Sequence, residues 1–435
     1  MPATPPAEKT NADLAVINGP RYTLGPRTAI RGSLRIGAGK LQHLSTKSTL
    51  SSAVGCTINL DGFLLLPGLI NAHDHLQYGL HPRIGHPPYN NYVEWGDDIH
   101  ARFPALIARY NSIPRETRLW WGGIRNVLCG VTTVCHHDTL WPALRSESYP
   151  LRVLSTYGWA HSVGLDPDIR HAWDATPDRS PFFVHLCEGT DALARREFAA
   201  LDKLGMLTGK TVVVHGLALD KPGIALLQER RSSLILCLSS NQFLYHCLPD
   251  VEALKAIERV ALGNDSPLTA AGDLLDEVRF AIESAGISMD VAYRMITDVA
   301  AAILRLYDGG GVIRELGNAD LIAVRDNGDT PCDRMLTLTW RDIELVMVGG
   351  RVQLASDDVW HLLPPAVRRA MEPLWIDGDI RWLRAPIRQR VQQAEAVLGP
   401  GMVRLGERKV QLPDFVVSAS PILRHHPIVE SEERL

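Results

Sequence analysis

LLLPGLINAHDHLQYGL, residues Leu64 to Leu80, is an apolar run that ends in two histidines separated by one aspartate. If the run is a β-strand, alternation places the side chains of His73 and His75 on the same face. Such a pair is half of a metal site or a chance neighbour pair, because a chain with 16 histidines contains some close pairs by chance. The ends of the other strand-like runs decide between these interpretations.

The composition is that of an ordinary globular protein. Of the 435 residues, 46% are hydrophobic and 22% charged, and the net charge of −4 gives no general attraction to nucleic acid or anionic membranes. No apolar run approaches the roughly 18 residues of a membrane span, and the N-terminus shows no signal-peptide pattern. Seven scattered cysteines without a C-x-x-C pair predict reduced thiols and a cytoplasmic protein.

Changes in residue composition and in the hydrophobic pattern divide the chain into four parts. Residues 1–12 are polar and Pro-rich and are predicted to be disordered. Residues 13–62 and 307–356 contain short alternating runs punctuated by Gly and Asn, which predict one discontinuous β-sandwich domain. Residues 63–306 alternate apolar runs with helical stretches, the pattern of parallel βα units in an α/β fold. Residues 357–435 are predicted to form a C-terminal helical extension.

Several strand-like runs of residues 63–306 end in a side chain that can bind metal or transfer a proton. These residues are His73, His75, His185, Glu188, His215 and Asp265. Each alone is more often a hydrogen-bonded structural histidine or a turn residue. The C-terminal ends of parallel strands form one rim, so the whole set in this order predicts a single metal centre. The neighbouring pair His136 and His137, after VTTVC, is not assigned as ligands.

The motifs around these residues resemble the amidohydrolase superfamily, in its branch of cytosine, guanine and chlorotriazine deaminases and hydrolases. The matching stretches are LPGLINAHDHL, GVTTV, HLCEG, VVVHG, SSNQFL and LGNDSPLTAAGDLLDE. The resemblance covers roughly residues 13–354 and is far more specific for the superfamily than for a substrate. It implies a (β/α)8 TIM-type barrel that holds one divalent metal ion, usually Zn²⁺.

The resemblance also assigns roles by position. It implies four metal ligands: His73, His75, His185 and Asp265. It implies that Glu188, His215 and Asp265 act on water and substrate. The same N/O ligand set accepts several divalent ions, so Fe²⁺ is the alternative to Zn²⁺. STYGWAH offers no lysine for a fourth-strand carbamate, which argues against the binuclear branches.

One stretch departs from the family pattern. The chain between Gly158 and Phe182 is short, and RHAWDATPDRS does not resemble a strand. We therefore expect a barrel with an irregular or missing fourth strand, which weakens any assignment of a nucleobase substrate by analogy.

Candidates for substrate contacts follow several strands. Tyr92 and Trp95 lie in the loop after the first strand, where they either stack on a planar ring or pack the barrel rim. His161, Asn241 and His246 follow other strand-like runs and are the remaining candidates.

The expected function is hydrolysis of a C–N bond in a small cyclic or heteroaromatic substrate by metal-activated hydroxide, with release of ammonia. Two alternatives stay open: a cyclic amide hydrolase that opens a ring, and a non-catalytic homologue that binds a small molecule. A small molecule is the expected partner, without nucleic acid or membrane. The oligomeric state is open, although relatives often form homodimers and the C-terminal helices could support one.

Overall fold

The computed structural model describes residues 15–51, 55–255 and 257–414. The predicted disordered segment 1–12 and the last part of the predicted extension, 415–435, lie outside the described residues. Within the described ranges, no helix is both long enough and apolar enough to cross a membrane.

The strands are numbered in chain order. They are β1 (Ala15–Gly25), β2 (Thr28–Gly37), β3 (Lys40–Ser45), β4 (Cys56–Asn59), β5 (Phe63–Pro67), β6 (Leu69–Asp74), β7 (Val131–His136), β8 (Arg152–Val153), β9 (Gly158–Ser162), β10 (Phe182–Leu186), β11 (Thr211–His215), β12 (Ser233–Leu236), β13 (Val260–Leu262), β14 (Leu321–Arg325), β15 (Leu345–Val348), β16 (Arg351–Ser356), β17 (Glu372–Ile376), β18 (Asp379–Leu383), β19 (Arg404–Leu405) and β20 (Arg408–Gln411).

The α-helices are numbered in the same way. They are α1 (Tyr92–Arg102), α2 (Pro104–Asn111), α3 (Arg115–Leu128), α4 (Ile169–Ala175), α5 (Ala192–Lys203), α6 (Lys221–Glu229), α7 (Leu238–Tyr245), α8 (Val251–Leu254), α9 (Leu274–Glu283), α10 (Met289–Met295), α11 (Asp298–Ile303), α12 (Pro331–Thr337), α13 (Asp357–Leu362), α14 (Pro365–Arg368) and α15 (Ile387–Leu398).

Eight consecutive parallel strands, β6 to β13, form the part of the molecule that carries the predicted site. Strands β6 to β8 pair in order in one sheet, and β9 to β13 pair in order in another. The last strand returns beside the first, where the Asp265 amide donates a hydrogen bond to the His73 carbonyl at 3.1 Å. Most of these strands alternate with helices, which confirms the α/β class.

The fourth of these strands, β9, is present, and its pairing with β10 shifts register between Val184 and His185, so of the two predicted forms the irregular strand is observed and the missing strand is not. Strand β9 pairs in parallel with β10, with Ala160 opposite Val184. The short strand is the third, β8, which has two residues and is joined to β9 without a helix. Gly158 lets β9 begin here, because a Cβ at this position would lie 1.7 Å from Thr176 Oγ1. The run LRVLSTYG therefore contributes to two strands, β8 and β9.

The strands on either side of the central region form one sheet. Its order is β19-β20-β17-β18-β16-β15-β14-β5-β1-β2-β3, with β4 paired to β1. Both flanks are β-rich as expected, and their strands join in one continuous hydrogen-bonded sheet; the β-sandwich arrangement stays a prediction. Residues 357–414, predicted as helical, differ from the prediction: they supply strands β17 to β20 as well as helices α13 to α15.

Gly68 separates the two sheets within a single apolar run. The stretch FLLLPGLINAH was predicted as one strand of the barrel, but β5 pairs with β14 in the flanking sheet, whereas β6 pairs with β7. The Gly68 amide donates to the Asp320 carbonyl at 2.9 Å. A Cβ at Gly68 would lie 2.1 Å from Thr132 Oγ1, so the close crossing of the chains requires glycine.

Helix α3 packs against β6 and β7 and forms part of the main hydrophobic core. Its residues Trp121, Ile124 and Val127 are fully buried in that core. The helix approaches the turn after β6 closely, because a Cβ at Gly122 would lie 2.2 Å from the Leu76 carbonyl oxygen. This packing brings the polar side chains of α3 beneath the ligand-bearing end of β6.

Replacing Gly68 by alanine should destabilise the protein by about 1–3 kcal/mol, because the added methyl group overlaps Thr132. The free energy of unfolding in urea measures the effect. Gly96→Ala is the control, since Gly96 lies in α1 with open space at its Cβ position, and there alanine should be neutral or slightly stabilising. Equal stabilities of the two variants would contradict the prediction.

Candidate metal centre

The structure brings the six predicted residues together at the C-terminal ends of the strands. His73 ends the apolar part of β6, His185 lies in β10, and His215 ends β11. The ring centroid of His73 lies 5.0 Å from that of His75 and 4.9 Å from that of His185. The fully assembled set comprises His73, His75, His185, Glu188, His215 and Asp265.

Four donor atoms have the spacing of metal ligands. His73 Nε2 lies 3.2 Å from His185 Nε2. Asp265 Oδ1 lies 3.8 Å from His73 Nε2 and 3.7 Å from His75 Nε2. Tetrahedral ligands placed about 2.1 Å from a zinc ion lie about 3.4 Å apart, which agrees with these separations. The three histidines form a group that could hold a metal ion.

Hydrogen bonds fix which ring nitrogens carry protons. His185 Nδ1–H donates to the His161 carbonyl at 2.8 Å, which leaves His185 Nε2 without a proton in the neutral ring. His73 Nδ1 lies 3.3 Å from His137 Nδ1, and His137 Nε2–H donates to the Ala160 carbonyl at 2.9 Å. His137 Nδ1 therefore accepts from His73 Nδ1–H. Two bare Nε2 atoms then face each other at 3.2 Å, an arrangement that a cation between them stabilises.

The protonation states suit metal binding. Burial lowers the pKa of His73 and of His185 well below the usual range of histidine, and it also lowers the pKa of His75. Burial pushes the pKa of Asp265 upward, but His215, His75 and the Ser240 hydroxyl outweigh it, so the net shift is downward. Neutral imidazoles and an ionised carboxylate are the forms that coordinate metals.

A second combination of donors includes a thiol. His73, His215 and Cys237 also lie within metal-binding reach of one another. Burial raises the pKa of Cys237 well above its usual value, which disfavours the thiolate in the metal-free protein.

Glu188 is placed for proton transfer beside the ligands. Its Oε2 lies 3.6 Å from His215 Nε2, and its Oε1 accepts a hydrogen bond from the Tyr245 hydroxyl at 3.0 Å. Burial raises the pKa of Glu188, although His215 and Tyr245 partly oppose this shift. A raised pKa favours the protonated carboxyl, the form that can donate a proton.

His215 is held by its backbone and by an amide. The residue adopts φ of 72°, a left-handed conformation that side chains other than glycine seldom take. Its Nδ1–H donates to Asn241 Oδ1 at 3.1 Å, which turns Nε2 toward Glu188. Asn241, predicted as a substrate contact, thus has a structural partner, while its amide nitrogen is buried without a hydrogen-bond partner among the described residues.

Sequence reasoning missed His137. Its ring stacks on His185 with 4.2 Å between centroids and 4° between planes, and it orients His73 as described above. Both of its ring nitrogens have partners, so the structure places it behind the ligands. The sequence could have indicated His137 through its position at the end of β7, level with the ends of the other parallel strands.

Arg125 of α3 was also missed. It donates to Asp74 Oδ2 at 2.7 Å, and Asp74 separates the two histidines of β6. The same Arg125 Nη2 donates to the main-chain carbonyl of Asp265 at 3.1 Å. One buried guanidinium therefore holds two of the segments that carry ligands.

The other predicted substrate contacts fall into two groups. The His161 ring lies 4.9 Å from that of His185 and 6.3 Å from that of Tyr92, whose hydroxyl donates to buried Glu197 at 2.8 Å. Trp95 instead donates to the Ile84 carbonyl at 3.1 Å and packs with the apolar residues of that loop. His246 is exposed and ends α7 in a left-handed conformation.

A segment after β6 is attached to the chain that follows three other strands. The Ile84 amide donates to the Leu268 carbonyl at 3.1 Å, and the Tyr89 amide to the Leu244 carbonyl of α7 at 2.8 Å. The Asn90 carbonyl accepts from the Thr190 amide at 2.8 Å. Residues 84–92 are thus held by segments that follow β10, β12 and β13.

Comparisons with known proteins agree with this geometry. Residues 183–352 match the model of the amidohydrolase family. The chain is 30% identical over 214 residues to a 5-methylthioadenosine/S-adenosylhomocysteine deaminase of Natronomonas pharaonis, a match that covers 44% of this chain. The match spans 50% of that deaminase, about half its length.

Two solved structures share the fold. An atrazine chlorohydrolase of Arthrobacter aurescens TC1, complexed with zinc, gives a TM-score of 0.67 at 15% identity, covering 88% of this chain and 99% of that one. An adenosine deaminase of Xanthomonas campestris with bound zinc gives a TM-score of 0.63 at 16% identity, covering 88% and 97%. The resemblance to the deaminase-like amidohydrolases is confirmed.

Replacing His137 by phenylalanine should weaken metal binding about 10- to 100-fold, because His73 loses the acceptor that fixes its tautomer. Competition of the purified protein against a chromogenic chelator measures the affinity. His81→Phe is the control, since His81 is also buried but packs between Tyr78 and Tyr110. An unchanged metal affinity in the His137 variant would contradict the role of His137 in orienting the His73 ring.

Proposed function

We propose that this chain, which contains an amidohydrolase-family domain, is a metal-dependent hydrolase that removes an amino group from a small cyclic or heteroaromatic substrate. The observation that carries the proposal is the pair of bare Nε2 atoms of His73 and His185, 3.2 Å apart, beside an ionised aspartate. The deaminase name of the curated relative supports the reaction type. The neighbours that contain zinc support Zn²⁺, with Fe²⁺ as the alternative.

The ligands of the metal would be the four residues named from the sequence. They are His73, His75, His185 and Asp265. When bound, a divalent ion supplies Lewis-acid chemistry and lowers the pKa of a water from about 15.7 toward about 7. The chain's own residues supply orientation and proton transfer.

The reaction adds water across a C–N bond. The water oxygen bonds to the ring carbon, the bond to the exocyclic nitrogen breaks, and the nitrogen leaves as ammonia. Asp265, which is ionised, accepts the proton of the attacking water. Glu188, with its raised pKa, passes a proton to the ring or leaving nitrogen, a contribution of roughly 10²–10⁴ in rate.

His215 orients the reacting groups. Because Asn241 accepts its Nδ1–H, the other ring nitrogen points to the space beside Glu188. His215 would stabilise the oxygen that develops negative charge. The buried amide nitrogen of Asn241 and the ring of His161 are the remaining groups for substrate contact, with Tyr92 behind them.

Three further points belong to the same proposal. Strands β6 to β13 close into a (β/α)8 barrel, which the bond between Asp265 and His73 supports. The enzyme acts in the cytoplasm on a small molecule, consistent with its seven cysteines, which are all free thiols. A homodimer is also part of the proposal; the apolar face of α15 packs into the core of its own chain, so this helix is not offered as the interface.

The purified protein should contain about one metal ion per chain, as measured by plasma mass spectrometry. Asp265→Ala should lose the metal because it removes one of four ligands. Glu188→Gln should keep the metal but lose roughly 10²–10⁴ of the ammonia-releasing rate. Asp326→Ala, which removes a carboxylate paired with Arg21 in the flanking sheet, is the control and should change neither.

Other outcomes favour different functions. Two metals per chain would point to a binuclear centre and reassign the roles. A new carboxylate without ammonia would identify a cyclic amide hydrolase. Bound metal without turnover of any heteroaromatic amine would favour the non-catalytic binding protein.

A further inference from the structure

Helix α7 carries three of the polar side chains that hold the acid–base groups. Ser240, Asn241 and Tyr245 lie within about 140° of arc on this short helix, so they share one face. Their hydrogen bonds are Ser240 Oγ to Asp265 Oδ2 at 2.8 Å, His215 Nδ1 to Asn241 Oδ1 at 3.1 Å, and the Tyr245 hydroxyl to Glu188 Oε1 at 3.0 Å. A shift of this one helix therefore changes all three contacts together.

The first turn of α7 is held by a carboxylate from another helix. Glu277 of α9 accepts hydrogen bonds from the amides of Leu238 and Ser239, at 2.5 and 3.2 Å, and from the Ser239 hydroxyl. The N-cap residue Cys237 provides no side-chain cap. The amides of a first helical turn lack intrahelical partners, and a negative charge there is stabilising.

Glu277 is fully buried, which is unusual for a carboxylate side chain. Its side chain has 0% exposure, and burial raises its pKa to about 7 despite the three donors of α7. Among the described residues, the hydrogen bonds of its side chain all go to α7 and none to the six residues of the centre. A buried carboxylate is costly without such partners, so its contacts with α7 keep both helices in register.

We propose that Glu277 is a positioning residue that acts through α7: it fixes the first turn of that helix and thereby the contacts of Ser240, Asn241 and Tyr245. The proposal rests on the proposed function, because it concerns the residues assigned to proton transfer and metal binding. It adds a residue outside the centre on which the geometry of Asp265, His215 and Glu188 depends.

The first test is Glu277→Gln, which keeps the size of the side chain but places an amide nitrogen against the donors of α7. We expect kcat for ammonia release to fall about 10- to 100-fold and KM to change less than kcat, because Asn241 is the only candidate substrate contact on α7 and His161 lies outside it. We also expect the metal-free protein to bind Zn²⁺ about tenfold more weakly, because Ser240 holds Asp265 less well.

The control separates positioning from general destabilisation. Val278→Ala removes buried methyl groups from the next residue of α9 and has no hydrogen bond to α7. It should lower the melting temperature yet keep the kcat and Zn²⁺ affinity of the wild type. An equal loss of kcat in this control at equal stability would overturn the proposal.

A double variant tests the route through α7. Tyr245→Phe removes the hydrogen bond to Glu188 directly. If Glu277 acts through α7, the combination with Glu277→Gln should cost clearly less than the product of the two single losses. Independent, multiplying losses would overturn the proposal, as would a folded Glu277→Gln protein with wild-type kcat and Zn²⁺ affinity.

Two further measurements keep the test decisive. If Glu277→Gln does not fold, Ser239→Ala removes one of the three donors to Glu277 and should lower kcat in the same direction, again with a smaller change in KM; an unchanged kcat would overturn the proposal. If the wild type releases no ammonia, the proposed function fails, and the Zn²⁺ affinity alone tests the role of Glu277. Weaker Zn²⁺ binding by Glu277→Gln but not by Val278→Ala would support Glu277 as a positioning residue. Equal Zn²⁺ affinity of the two variants would refute it.

Discussion

One main-chain hydrogen bond, from the Asp265 amide to the His73 carbonyl, joins the last parallel strand to the first and sets the geometry of the centre. It places the carboxylate of one strand end beside the histidines of another. Arg125 strengthens the same junction because it binds both the Asp265 carbonyl and the Asp74 side chain. The ligands can therefore stay close together although burial and mutual repulsion disfavour such a cluster without a cation.

Three of the four histidines of the centre are oriented in the same way. His185, His73 and His215 each use Nδ1 for a hydrogen bond to a fixed partner within the protein. The partners differ in chemistry: a main-chain carbonyl, another imidazole and a side-chain amide. The result is the same, because Nε2 of each ring is directed into the centre. Supporting groups of this kind decide the tautomer and hence whether a ring is a ligand or a proton donor.

The six residues of the centre could be predicted because each follows a β-rich run, and parallel strands bring their C-terminal ends together. The boundaries of the strands could not be predicted from the sequence. FLLLPGLINAH is largely apolar, so its division between two sheets becomes visible only in the pairing of β5 with β14 and of β6 with β7, with Gly68 packed close to Thr132 at the crossing. The supports of the centre were equally hidden: Asn241 was expected to contact substrate, and Glu277 and His137 become significant only through distances between residues remote in sequence.

The flanking sheet has a consequence for how the chain is made. Strands β5 and β14 are neighbours in this sheet, with Leu66 opposite Ile322. In the sequence, they stand before and after the whole set from β6 to β13. During synthesis, β5 leaves the ribosome before β14. It therefore cannot pair with β14 until the residues between them, which include β6 to β13, have been synthesised. Pairings between such distant residues form late and slowly. We expect the apolar edge of β5 to be the surface that the nascent chain must shield from aggregation.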